Sequence, residues 1–151
     1  MASVLLVLAT VTTGLYVGLF YAFQFVFMPT LGKGTDGEFT VVMQRINRVI
    51  VNPWFMALFL GVVLWPLIAV FTADAKLLTG LGLACNVLSH AITIGGNIPL
   101  NQALDRAALD TREQQLAARE AFEVKWNRLH AARTAVGVAG LVLLTCATLA
   151  Q

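Results

Sequence analysis

Four apolar stretches, each close to the roughly 20 residues a helix needs to cross a bilayer, constrain this chain more than any other feature. They run over Val4–Met28, Pro53–Thr72, Ala75–Ile98 and Leu129–Ala150. In hydrocarbon every backbone N–H and C=O must be paired inside the structure, so each stretch is expected to be a helix. Only 12% of the residues are charged, about half the roughly 25% of a soluble domain. The expected fold is all-α: one polytopic four-helix membrane bundle over residues 1–151, with no room for a second domain. Met1-Ala2-Ser3 carries no basic residue and no small-residue cleavage site follows a short apolar core. The first stretch therefore reads as a retained helix rather than a signal peptide.

The basic residues orient the bundle. Lys33, Arg45, Arg48, Arg106, Arg112, Arg119, Lys125 and Arg128 lie in the first and third loops, Arg133 lies just inside the fourth stretch, and the opposite side holds only Lys76. The positive-inside rule places the first and third loops in the cytoplasm and both termini outside. The expected location is a bacterial plasma membrane. The cations are mixed with acids and spread along helices, which argues against a nucleic-acid partner.

The connections carry structure of their own. In the first loop Phe39, Val42, Met43, Ile46, Val49 and Ile50 form an apolar stripe opposite Gln44, Arg45, Asn47 and Arg48. This predicts an amphipathic helix that lies in the interface or caps the bundle. Asn52-Pro53 opens the second span. Pro66 lies inside it, freeing a carbonyl for a neighbour to satisfy. Pro29 and the glycines at 32, 34 and 37 are expected to end the first helix. Gly95-Gly96 and Pro99 should loosen or break the third near the cytoplasmic surface. Thr111-x-x-Gln114 is a capping-box pattern, and no glycine or proline interrupts residues 112–136. One long fourth helix is expected, rising from the cytoplasm. Gly14-x-x-x-Gly18 offers a close-packing surface for a partner helix or a second copy of the chain. Cys85 and Cys146 read as small core residues.

Two polar constellations interrupt the apolar spans. Asn86, His90, Thr93 and Asn97 recur at steps of three and four, so they share one helix face. Such residues face a bundle interior, pair with one another or line a cavity. Trp126, His130 and Arg133 are spaced i, i+4 and i+7, where the fourth span enters the membrane. They read either as a belt tryptophan with a snorkelling arginine or as a cationic, aromatic-lined mouth. Asn97 and Asn101 should lie at a similar depth. Tyr21 and Gln24 read as interfacial or as the lining of an aromatic pocket. His90 lies eight residues from Ile98, or roughly 12 Å along a helix. It reads as a structural hydrogen-bonding group or, alternatively, as part of a single open metal site. A bis-histidine haem would need both histidines at one level, and the predicted helices separate them. No HExxH, carboxylate cluster, phosphate loop, nucleophile elbow or dinucleotide fingerprint is present.

Four ordered motifs resemble the anthrone-oxygenase-like family of small four-helix membrane proteins. They are Phe27-Met28-Pro29-x-Leu31, Met43-Gln44-Arg45-Ile46-Asn47-Arg48 with Asn52-Pro53, Gly96-Asn97-Ile98-Pro99-Leu100-Asn101-x-x-Leu104, and Trp126 ahead of Arg133-Thr134. The resemblance spans nearly the whole chain. Its fungal members oxidise anthrones to anthraquinones with dioxygen and without a dedicated cofactor. His90, Asn97, Asn101, Trp126 and Arg133 match the family's polar positions.

The leading expectation is an oxygenase-like enzyme acting on a planar, phenolic hydrophobic molecule. His130 or His90 would be the base, Arg133 and the asparagines would stabilise oxyanion charge, and Trp126 would form a wall. Asn47, Tyr21 and Gln24 complete the candidate substrate-contacting set. No cofactor is expected. The alternative is a non-enzymatic membrane protein that binds a lipid-like ligand or a partner helix. An enclosed cavity lined by both constellations would favour catalysis.

Overall fold

A computed structural model describes residues 2–151. The described residues form five helices: α1 (Ala2–Leu31), α2 (Asp36–Ile50), α3 (Pro53–Ala69), α4 (Lys76–Arg106) and α5 (Arg112–Leu149). No strand occurs among the described residues. The helices α1, α4 and α5 are each long and apolar enough to cross a membrane. α3 reaches that length only together with α2, from which it is bent by 71°. At 17 residues it is still about 26 Å long at 1.5 Å per residue, close to the roughly 30 Å hydrocarbon core. The protein is thus a four-helix membrane bundle of α1, α3, α4 and α5. Each helix packs against two neighbours, in the order α1, α3, α4, α5 and back to α1.

Local chemistry sets the helix starts. Thr35 and Glu38 form a capping box at α2, and Thr111 and Gln114 form one at α5. Asn52 caps α3 by accepting from the Phe55 N–H at 3.1 Å, with Pro53 at the first turn. α5 then runs for 38 residues without a break.

The first helix ends at Gly32, among the expected residues, but Pro29 lies inside it, and the third helix is loosened rather than broken. α1 continues through Pro29 to Leu31, and α4 continues through Pro99 to Arg106. Ahead of each proline the backbone widens into a π segment, Phe23–Phe27 in α1 and Thr93–Asn97 in α4. A five-residue hydrogen-bond step absorbs the register change that a missing proline N–H would otherwise force. Gly37 lies beyond the end of α1, as expected, and falls in the first turn of α2.

The half of the bundle near the chain termini is packed closely. A Cβ at Gly82 would come within 2.8 Å of Leu144, and one at Gly140 within 2.7 Å of Asn86 Oδ1. Those glycines let α4 and α5 touch backbone to backbone. Leu6, Ala69, Ala73 and Ala147 fill the end. Of the expected core cysteines, Cys85 is half-buried, whereas Cys146 faces outward.

The half near the long loops is built from bulky residues. Phe39 and Met43 of α2 are fully buried against Met28, Leu104, Phe122 and Trp126. α2 therefore caps the bundle, which was one of its two expected placements. Arg119 of α5 anchors it. The guanidinium donates to the Gly32 and Gly34 carbonyls, at 2.9 and 3.0 Å, and to Asp36 at 3.0 Å, while lying over the Phe39 ring. Gln44 Nε2 donates to the Leu104 carbonyl at 2.8 Å, tying α2 to α4.

Candidate ligand-binding site

The polar face of α4 splits into two parts with different duties. Asn86 is satisfied within the bundle. Its Nδ2 donates to Thr13 Oγ1 at 3.0 Å and to the Val62 carbonyl at 2.9 Å. Val62 is four residues before Pro66, so its carbonyl is the one the proline leaves free. Ser89 donates to the Arg133 carbonyl at 3.1 Å. His90 is buried with Nε2 2.7 Å from the Phe59 carbonyl and Nδ1 3.1 Å from that of Asn86. Its shorter contact joins α4 to α3. These three groups bind helices together.

The α5 constellation is arranged differently. Trp126, His130 and Arg133 lie on one face and all are buried, Arg133 at 7% exposure. The Nε and Nη2 groups of Arg133 both donate to His130 Nδ1, at 3.0 and 2.8 Å. Nη1 donates to Thr93 Oγ1 at 3.1 Å. A guanidinium has no acceptor capacity, so His130 Nδ1 must be the bare nitrogen. Its Nε2–H then donates to the Phe20 carbonyl at 2.9 Å, which fixes a neutral imidazole. Trp126 stacks on that ring at 4.5 Å and 11°. The guanidinium also lies over Phe20, 4.3 Å from its centroid.

Arg133 has no acidic partner among the described residues. Among the described residues the ion pairs are Arg48–Asp105, Arg119–Asp36 and Arg119–Glu123. A buried charge is costly unless paired and hydrogen-bonded. Here the imidazole, a hydroxyl and two aromatic faces supply the compensation, and none of them carries negative charge.

Arg133 lines a cavity of about 480 Å³, within the usual size range for small-molecule sites. The walls are mainly apolar and aromatic, with Phe20, Phe23, Phe55, Phe59, Ile98 and Trp126 prominent. Thr93, Asn47 and Asn101 add polar points. The exposed residues Arg48, Gln102 and Asp105 mark the mouth, where Arg48 Nε meets Asp105 Oδ1 at 2.7 Å. From Trp126 to Arg133 is seven residues, about 10 Å of helix.

The predicted residues thus divide. Arg133, Trp126, Asn101 and Asn47 meet in the cavity wall. Trp126 Nε1 donates to Asn101 Oδ1 at 2.8 Å, and Asn97 Nδ2 donates to the Trp126 carbonyl at 3.3 Å. These contacts bring the end of α4 alongside α5 at the expected depth. Asn97 is fully buried behind the wall. His130 stands behind Arg133, with both ring nitrogens engaged, and His90 stands behind Phe59. Neither imidazole is part of the cavity wall. Tyr21 is exposed and packs on Phe25 at 4.4 Å, away from the cavity, and Gln24 is likewise outside it.

Several buried polar atoms have no protein partner: Tyr16 Oη, Asn47 Nδ2, Asn97 Oδ1 and Gln24 Oε1. Tyr16 escaped the sequence reading as a site residue. It is 1% exposed and packs against Phe20 and His90, at 4.4 and 5.5 Å. The signal available was a tyrosine spaced three residues after Thr13 and four before Phe20, on one helix face. Among the described residues no three His, Cys, Asp or Glu side chains come together as a metal-binding group.

Fold and site define a small helical membrane protein with an internal cavity that ends in a buried cation. The model of the anthrone oxygenase family matches residues 39–143, well over half of the sequence. The chain belongs to that family. No curated protein and no solved structure gives a significant match.

Proposed function

We propose that this protein is a membrane oxygenase that oxidises a planar, weakly acidic, anthrone-like molecule with dioxygen and needs no dedicated cofactor. The observation carrying this reading is the unpaired Arg133 guanidinium at the inner end of an aromatic cavity. Five N–H groups are available on a guanidinium and three are engaged by protein. The remaining donors suit an oxyanion. Trp126 and Phe20 belong to the apolar wall against which a flat ring packs. Asn47 and Asn101 offer further polar contacts.

In this reading the substrate seats as its enolate, with oxygen on Arg133, so the ring methylene has already lost one proton to solvent. The electron-rich carbon adds dioxygen, forming a C–O bond, and the peroxide takes up a proton. Loss of the second methylene proton with cleavage of the O–O bond gives a carbonyl and one water. Carbon is oxidised and both atoms of dioxygen are accounted for. Arg133 contributes by holding oxyanion charge in a site of low polarity, and Trp126 by forming part of the cavity wall. We place the protein in a bacterial plasma membrane with both termini outside, on the nine-to-one distribution of basic residues.

The test is oxygen uptake by purified protein with anthrone, with and without chelator. Uptake that survives chelation and is lost in Arg133→Ala is expected. Equal rates for wild type and Arg133→Ala would refute the assignment, and loss on chelation would replace it with a metal-dependent mechanism. Ligand binding without uptake would leave a binding protein.

A further inference from the structure

We infer that His130 serves as a neutral positioning residue that holds Arg133 as an uncompensated cation, making the inner end of the cavity a site selective for aromatic monoanions. The inference deepens the proposed function and rests on the same cavity, but it does not require oxygen chemistry.

The hydrogen bonds carry the argument. A buried arginine is ordinarily held by a carboxylate, which orients it and cancels its charge. Here the orienting acceptor is an imidazole nitrogen contacted by two guanidinium donors. His130 is fixed as acceptor because its other nitrogen is spent on the Phe20 carbonyl. Stacking on Trp126 at 11° holds the ring plane. His130 is fully buried, so solvent does not compete for either nitrogen. The guanidinium is steered toward Thr93 and the cavity, and its full positive charge is left for a ligand. One unneutralised cation in an apolar cavity favours one negative charge. A neutral ligand leaves the guanidinium unpaired, and a dianion brings a charge with no partner.

The same contacts argue against His130 as the group that takes a proton from substrate. Its lone pair points at Arg133 and its imidazole lies outside the cavity wall.

Three variants separate the roles. His130→Asn places a carboxamide oxygen where Nδ1 lies, keeping an acceptor for Arg133 while removing a titratable base. His130→Ala removes the acceptor. His130→Asp supplies a charge that cancels Arg133. Anthracene-9-carboxylate and anthracene-9-methanol share a tricycle and differ in charge, and their binding is read by fluorescence titration in detergent. Wild type and His130→Asn should prefer the carboxylate. His130→Ala should weaken the carboxylate by roughly tenfold or more, in line with the strength of a hydrogen bond to a charged group. His130→Asp should abolish the preference, and the alcohol should bind all four proteins alike, which also reports that each is folded. Oxygen uptake with anthrone is measured on the same samples. If His130→Asn binds the carboxylate like His130→Ala, the positioning role is wrong; if it keeps binding but loses uptake, His130 acts as a base. Charge-selective binding with no uptake in any protein, wild type included, would refute the oxygenase reading and leave this one standing.

Discussion

The two halves of this bundle use the same residue types for different ends. Near the termini, Thr13, Asn86 and Ser89 are buried and every one is bonded to a neighbouring helix. Gly82 and Gly140 bring α4 and α5 so close that no space remains between them. Near the loops, bulky aromatic side chains keep the helices apart, a cavity opens, and Arg133, Asn47 and Asn97 retain bonding capacity that the protein does not fill. Polarity inside a membrane therefore does not mark a site by itself. Unfilled polarity beside a void does.

The largest expected effect falls on the loop half. Arg133→Lys keeps the charge but loses the planar fork, and oxygen uptake should fall by roughly tenfold to a hundredfold, the worth of hydrogen bonds to a charged group. Wild-type uptake in this variant would mean that charge alone suffices. In the terminal half, Gly140→Ala should destabilise the bundle by about 1–3 kcal/mol through overpacking and leave anion binding unchanged. Unfolding in a denaturant titration, with the carboxylate probe on the same samples, would expose any coupling between the halves. His90→Ala removes an interhelical hydrogen bond and should cost about 1–2 kcal/mol without abolishing uptake. Loss of uptake in a folded protein would return His90 to the reaction.

Smaller effects are expected outside the spans. The Glu38 carboxyl is held below the usual carboxylate range by the backbone N–H and hydroxyl of Thr35. A depressed folded pKa stabilises α2 above the unfolded value and loses that stabilisation as pH falls through the folded one. Acid should therefore loosen α2, and Glu38→Gln should remove that acid dependence in hydrogen exchange. An unchanged profile would show that the capping box does not control α2. Smallest of all, Tyr21→Phe should leave uptake at the wild-type rate, because Tyr21 faces outward.

Much of the fold was legible because membrane spans and caps are written locally. The four spans, the Thr111–Gln114 capping box, the uninterrupted α5 and the need for a donor near Pro66 all follow from short windows of sequence. The loosening of α4 was legible, but its form as a π segment, and the π segment in α1, were not. Gly95, Gly96 and Pro99 each argue against a helix by local propensity, yet Gly96 lies where a Cβ would strike Leu129 at 2.8 Å, so close packing against α5 keeps the helix running. The site was half legible. Spacing put Trp126, His130 and Arg133 on one face, but the state of His130 depends on the carbonyl of Phe20, 110 residues away. Tyr21 and Gln24 were misplaced relative to the cavity because a helix apolar on every side gives no sign of which face turns inward.

The contrast between the halves is tested most directly by comparing Arg133→Ala with Asn86→Ala on the same preparations, measuring thermal unfolding and oxygen uptake together. Asn86→Ala should unfold at a lower temperature than Arg133→Ala and keep its uptake, since it removes structural bonds and leaves the cavity intact. Arg133→Ala should lose uptake by at least about a hundredfold, as removal of an oxyanion-holding group does elsewhere. The reverse pattern, with uptake lost in Asn86→Ala and kept in Arg133→Ala, would contradict the division of labour described above.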